Sequence, residues 1–148
     1  MIQESRIDLY DYLYGLFHNV VSKNVYKMGE PMETTKSDVE DGFLLIRVGN
    51  MVDESEFSCE CLINVRCYVI AYVPKKSRGR LDSDKYKAFE SGINRVVRNE
   101  IKNGTNLSYF IVPDSVLSMD DDETTEKGNQ YHLYIKSFVV GMDDNINE

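Results

Sequence analysis

Three cysteines lie close together in this sequence and suggest a metal site. Cys59, Cys61 and Cys67 occupy odd positions of one alternating apolar segment. In a strand, residues two apart share a face and lie about 6.6 Å apart along it. A zinc site needs about four ligands in tetrahedral geometry, and neither histidine is near these cysteines in the sequence. Buried core thiols are therefore the favoured interpretation, and we expect no metal site.

The two histidines, His18 and His132, have no catalytic partner that the sequence identifies. No serine or cysteine lies in a nucleophile elbow, and the G-x-S-x-G, H-E-x-x-H and G-x-G-x-x-G patterns are absent. Nucleophilic catalysis needs such a group within hydrogen-bonding reach of a base. We expect ordinary structural or surface histidines and a protein that is not an enzyme.

An acidic run, Asp-Asp-Asp-Glu at 120–123, suggests a calcium-binding loop. Loops of the EF-hand type need alternating ligands, a central glycine and a distal glutamate at fixed offsets. Here the four carboxylates are consecutive, and Gly128 lies outside the required offset. We therefore predict a polar, solvated loop over 114–129.

A basic segment follows the alternating segment and is a candidate binding surface. Its four cations are Lys75, Lys76, Arg78 and Arg80. The segment lacks the G-x-x-x-x-G-K-[ST] pattern of a phosphate-binding loop. Three interpretations stay open: a solvated loop, a contact with an acidic partner protein, or a contact with nucleic acid.

Charge is unevenly distributed along the chain. The formal net charge is −8, but residues 74–102 carry 9 basic and 4 acidic side chains, while both flanking segments are acidic. Phosphate neutralisation supplies most of the affinity for nucleic acid, so an acidic chain is a poor general binder, and nucleic acid is not the expected partner. The basic segment is better suited to the acidic flanks of another copy.

A predicted α+β fold positions these segments. Apolar residues at spacings of three and four predict helices at 5–22 and at about 83–103. Hairpin-like connections and one crossover helix predict a mostly antiparallel sheet with the order α-β-β-β-α-β-β. One domain is expected over 1–142, followed by a disordered acidic tail at 143–148. The predicted strands are 25–28, 43–48, 57–73, 107–112 and 130–140, and 30–41 is a predicted polar connection.

The segment 57–73 is the most informative one. Its nine odd positions are all apolar, which excludes a helix and predicts a strand about 55 Å long. The even positions of its second half are also apolar or aromatic, so they need a helix or a partner to cover them. The candidate interface residues are Tyr68, Ile70, Tyr72, Lys75, Lys76, Arg78 and Arg80.

This arrangement resembles the tail terminator and tail completion proteins of long-tailed bacteriophages and prophages. The resemblance is carried by the opening helix at 6–13, the strand and turn at 25–31, the strand at 43–48, the alternating strand that ends at 68–73, the loop at 78–82 and the final strand at 131–140. It implies a structural protein without enzymatic activity or cofactor. It also implies a homo-oligomeric ring, often a hexamer, that caps the tail tube, with tail-tube and head-completion proteins as partners.

The expected location of the protein follows from two features that the sequence lacks. No stretch approaches the roughly 20 apolar residues of a membrane span, and the start lacks the regions of a secretory signal. We expect a cytoplasmic protein that assembles into a virion or tail-like particle, with no membrane contact. The alternative is a small adaptor or binding module of a mobile element or secretion apparatus, which would use the exposed side of 57–73 to add a partner strand.

Overall fold

The computed structural model of this protein describes residues 6–52 and 62–143. In that part of the chain the helices are α1 (Arg6–Phe17), α2 (Lys36–Asp41) and α3 (Ser83–Asn103). The strands are β1 (Val25–Lys27), β2 (Phe43–Val52), β3 (Leu62–Pro74), β4 (Tyr109–Ile111), β5 (Leu117–Thr124) and β6 (Gln130–Asp143). Short 3-10 turns occupy Ser77–Gly79 and Pro113–Ser115. The predicted α+β class with an N-terminal helix and a mostly antiparallel sheet is confirmed.

The strands form one mixed sheet in the order β1-β2-β3-β6-β4. Only β1 and β2 run parallel, and the other pairs are antiparallel. β3 pairs with β6 along its whole described length, so β4 and β5 both lie along the other edge of β6. β5 pairs with residues 130–137 and β4 with residues 140–142, so these two strands follow one another along that edge.

The first sheet face is covered by α1 and α3. α3 matches the predicted span 83–103, and Asp82 caps its N-terminus by accepting the Lys85 N–H at 3.2 Å. Burial of a large apolar side chain contributes roughly 1.5–3 kcal/mol before chain entropy is counted. The main contacts of this core come from Leu9, Leu13 and Phe17 of α1, from Phe89, Ile93 and Val97 of α3, and from Val65, Cys67, Val69, Ala71 and Val73 of β3.

The second sheet face carries a smaller aromatic core near one end of the strands. Phe43 stacks on Tyr72 with ring centroids 4.6 Å apart, and Tyr131 meets both rings edge-on at 5.5 Å. Tyr26 and Met32 pack over this cluster from β1 and the loop that follows it. The chain therefore covers this end of its second face with its own residues 26–41.

The predicted polar connection at 30–41 contains a helix. Thr35 and Asp38 form a capping box: the Thr35 hydroxyl accepts the Asp38 N–H at 3.1 Å, and the Asp38 carboxylate accepts the Thr35 N–H at 3.1 Å. These bonds satisfy N–H groups that a helix start leaves unpaired. With six residues, α2 is too short for an apolar period to reveal it.

The predicted loop at 114–129 is also wrong in part, because residues 117–124 form β5. Every side chain of β5 is exposed, so the strand is defined by backbone pairing with β6 and not by an alternation of buried residues. The hairpin closes where the Thr125 N–H donates to the Asn129 carbonyl at 2.9 Å and Gly128 adopts a φ of 86°.

The ends of other elements differ from the predicted spans. α1 ends at Phe17 instead of residue 22, and Asn19 follows it in a left-handed conformation with a φ of 63°. The described part of β3 continues to Pro74. Residues 57–61 of the predicted long strand, which include Cys59 and Cys61, lie outside the described residues. The predicted tail also lies outside them, except that Asp143 ends β6.

Candidate functional site

The basic segment forms a closed turn directly after β3. The Lys76 N–H donates to the Arg80 carbonyl at 2.7 Å, and the Gly79 N–H donates to the Lys76 carbonyl at 3.0 Å. Arg78 and Gly79 have φ values of 64° and 72°, so two successive residues are left-handed. This conformation suits glycine, but it costs a residue with a Cβ atom about 1–2 kcal/mol. The turn thus holds Arg78 in an unfavourable backbone conformation.

A cavity of about 520 Å³ lies beside this turn. The turn, α2 and the start of β6 all contribute residues to its walls. Among residues 6–52 and 62–143, no aspartate or glutamate lines it. Its walls are formed by Val39, Pro74, Lys75, Lys76, Arg78, Gly79, Asn129, Gln130 and Tyr131. The structure therefore brings three of the four predicted cations to one concave surface, which we call the basic cavity.

The three cations of the basic cavity differ in their partners. The Lys75 Nζ lies 3.5 Å from the Asp122 Oδ1, and the His132 Nε2 lies 3.3 Å from the same oxygen. Lys76 and Arg78 are exposed, and no side chain among residues 6–52 and 62–143 forms a hydrogen bond or ion pair with them. Arg80 donates from Nε to the Ser77 carbonyl at 3.3 Å and so belongs to the turn itself.

Glu33 fixes the opposite wall of the basic cavity. Its Oε1 accepts hydrogen bonds from Asn129 at 2.8 Å, from the Tyr131 hydroxyl at 2.7 Å and from the Thr125 hydroxyl at 3.0 Å. Burial by itself raises the pKa of Glu33, but these donors outweigh it and hold the pKa below its ordinary value. The wall is therefore held in place by a carboxylate that lies behind it.

The three predicted interface residues of β3 lie in different environments. Tyr72 is only 4% exposed and belongs to the aromatic core, and this burial raises the pKa of its hydroxyl. Ile70 is half-buried against the edge of that core. Tyr68 is half-buried farther along the strand, where the Arg47 guanidinium lies 5.9 Å from its ring centroid. Tyr72 thus packs inside the chain, whereas Tyr68 and Ile70 keep an accessible side.

Cross-strand register extends this accessible region to the edge of the sheet. Ile70 pairs with Ile135, which pairs with Met119, and Tyr68 is linked through Ser137 to Leu117. Leu117 and Met119 are 61% and 58% exposed. Phe110 of β4 lies on the same face opposite Gly141 and is 39% exposed. We call this set the open strip: Tyr68, Ile70, Phe110, Leu117, Met119 and Ile135.

The outer edge of β5 is unpaired in the part of the chain that the structure describes. Thr125 bonds to Asn129, so alternation directs the backbone groups of the odd residues of β5 toward β6 and those of the even residues outward. The acidic run at 120–123 lies on this edge, and charged side chains oppose uncontrolled pairing of edge strands. Phe110, Leu117 and Met119 were not among the predicted interface residues, although Leu117 and Met119 alternate in the way a half-exposed strand requires.

Cys67 and His18, two residues considered for chemistry, both pack against other side chains. Cys67 is buried in the first core, and burial raises its pKa to about 12, which makes the thiol unreactive. The His18 ring stacks on Tyr14 with centroids 4.5 Å apart. No group of three metal-ligating side chains occurs within residues 6–52 and 62–143.

Comparisons with known proteins assign no family to the chain. No family model matches it, and a search of curated proteins finds no match. Of the helices that the structure describes, none is both long and apolar enough to cross a membrane. The basic cavity and the open strip are therefore interpreted from their own geometry.

Proposed function

We propose that this protein is a structural subunit of a phage tail or tail-like particle, in which copies form a ring that caps the tail tube and faces the head side. The open strip carries the proposal, because Leu117 and Met119 are more than half exposed beside the accessible sides of Tyr68 and Ile70. Apolar side chains grouped on one face in this way are typical of a contact with another protein. The proposal is also supported by the predicted order of elements, which resembles that of tail terminator proteins.

Charge favours a contact between two different surfaces of neighbouring copies. Two β5 strands placed edge to edge would oppose their acidic runs at 120–123, and like charges across a strand pair are destabilising. A surface that carries Lys76, Arg78 or the exposed arginines of α3 is instead complementary to that edge. A contact between unlike surfaces, repeated around an axis, closes into a ring when the rotation permits it.

Sedimentation of designed variants tests this proposal. The double variant Leu117→Glu/Met119→Glu is expected to be monomeric under conditions in which the wild-type chain assembles. The matched control is Val20→Glu/Leu107→Glu, which places the same two charges on exposed apolar residues outside the strip. Assembly should also weaken at high salt, because screening reduces attraction between exposed charges. If the strip variant assembles like the wild type, the strip is not the contact.

The free edge of β5 specifically favours the alternative, an adaptor that binds one other protein by strand addition. The same sedimentation experiment separates the two functions. A wild-type chain that stays monomeric by itself, but forms a complex with one copy of a different protein, would support the adaptor. A closed assembly of identical copies supports the ring.

A further inference from the structure

The basic cavity carries positive charge that the chain leaves largely unpaired. Lys76 and Arg78 have no ion-pair partner in the described part of the chain, and Lys75 shares the Asp122 carboxylate with His132. The chain has a net charge of −8, yet its described residues place three cations and no carboxylate around one concave space. We infer that the basic cavity binds a compact, multiply charged phosphate of the diphosphate class. This inference does not depend on ring assembly.

The size of the cavity favours phosphate over the carboxylates of a protein partner. A sphere of 520 Å³ is about 10 Å across, and three cations line this small, open cavity. A diphosphate concentrates several negative charges and many acceptor oxygens within such a volume. Neighbouring carboxylates on an extended peptide point to opposite sides, so only every second one can enter. A guanidinium also matches the oxygens of phosphate with paired hydrogen bonds, while lysines act as point charges.

The backbone around the cavity supports the same inference. Arg78 keeps a left-handed conformation although its side chain has no partner in residues 6–52 and 62–143. Unfavourable backbone conformations are often found at ligand sites, where they hold a group in position. The turn also lies against β6: a Cβ atom on Gly79 would come within 3.6 Å of the Gln130 Oε1. Gln130 thus lies against the turn with its side-chain amide.

Three acidic side chains of the described residues lie near the cavity but do not line it. Glu33 is behind the Asn129 and Tyr131 wall, where three donors satisfy its Oε1. Asp38 is fully buried in α2 and accepts hydrogen bonds from Tyr26 and Thr34. Asp122 is directed at Lys75 and His132. These carboxylates reduce the positive potential but do not occupy the space that a phosphate would enter.

Calorimetric titration of the full chain with inorganic pyrophosphate tests this inference. We expect saturable binding of one pyrophosphate per chain, weakened about tenfold or more by Arg78→Gln and by Lys76→Gln, as for the loss of a charge-assisted hydrogen bond. The matched controls are Arg95→Gln and Lys102→Gln, which remove the same charge from exposed positions on α3. Two separate cavity variants, each checked for cooperative unfolding, guard against misfolding of either one.

The inference is overturned if pyrophosphate does not bind, or if the α3 controls weaken binding as much as the cavity variants. A single-stranded oligonucleotide tests nucleic acid as the source of the phosphate. Its phosphodiesters carry one charge each, so we expect weaker binding than for pyrophosphate, and equal or tighter binding would contradict the inference. A peptide with the sequence of residues 117–124 tests carboxylates, and tighter binding of that peptide would assign the cavity to a protein partner.

Discussion

Arg78 shows how a single residue can trade stability for position. Its left-handed backbone costs about 1–2 kcal/mol, and no side-chain hydrogen bond in the described residues offsets that cost. We expect Arg78→Gly to raise the free energy of unfolding by about 0.5–1 kcal/mol, because glycine removes the steric cost but loses more backbone entropy. Urea unfolding measures the change. The control is Ser77→Gly, which lies in the same turn without a positive φ and should not stabilise the chain.

Glu33 predicts a dependence of stability on pH. Its pKa is lower in the folded chain than its ordinary value of 4.5, so its stabilising contribution is complete above that value and is lost as the pH falls through the folded pKa. We expect Glu33→Gln to lower the free energy of unfolding by about 1 kcal/mol at neutral pH and to flatten its decline in acid. Urea unfolding at several pH values tests this.

The control for this prediction is Glu126→Gln, an exposed glutamate in the same hairpin region. It should leave both the free energy of unfolding at neutral pH and its acid decline close to those of the wild type. If the free energy of unfolding declines in acid in the same way for the Glu33 and Glu126 variants, the hydrogen bonds to Glu33 do not stabilise the chain.

Among the elements, the junction of α2 and β2 depends on Gly42. Its φ of 90° and ψ of 175° lie in a region that only glycine adopts readily, and a Cβ atom there would lie 2.5 Å from the Tyr72 carbonyl oxygen. We expect Gly42→Ala to cost about 2–4 kcal/mol in thermal or urea unfolding.

Gly15→Ala provides the contrasting control for that junction. Gly15 is exposed on α1, and no atom lies within 4 Å of the position of its added Cβ. Alanine should therefore stabilise α1 by about 0.5–1 kcal/mol. An equal loss of stability in both variants would contradict the close approach of Gly42 to β3.

The sequence predicts those elements whose buried side chains leave a period. The apolar stripe of α3 and the alternation in β3 are buried against one core, so pattern and structure agree. β5 buries no side chain, so composition alone suggests a loop. The sequence contains the capping box of α2, which is formed by Thr35 and Asp38. Without an apolar period beside it, this signal did not lead to a predicted helix.

The basic cavity was predictable only in its cations. Lys75, Lys76 and Arg78 stand out by charge, but the wall that faces them comes from residues more than 50 positions later, positioned where the Lys75 N–H donates to the Gln130 carbonyl at 3.1 Å. Long-range pairing of this kind has no local signature. Tyr72 was predicted to be an interface residue for the same reason: residues 26–41, which cover it, are distant from it in the sequence.

At the scale of the whole molecule, the two sheet edges differ. At β1, the backbone N–H of Lys27 donates to the Glu30 Oε1 at 2.6 Å, so this edge donor is already satisfied. At the other edge, β5 is unpaired in the described residues and adjoins the open strip. We propose that a neighbouring copy covers the strip, which makes the assembly, and not the single chain, the complete folded unit.

Mass measurement of the undenatured wild-type protein over a range of concentrations tests whether copies of the chain form a closed assembly. A closed ring should give one discrete assembly whose mass is a fixed multiple of 17.1 kDa and does not grow further as the concentration rises. A species of 17.1 kDa at every concentration, or an unlimited series of larger masses, would contradict a closed ring built from this chain.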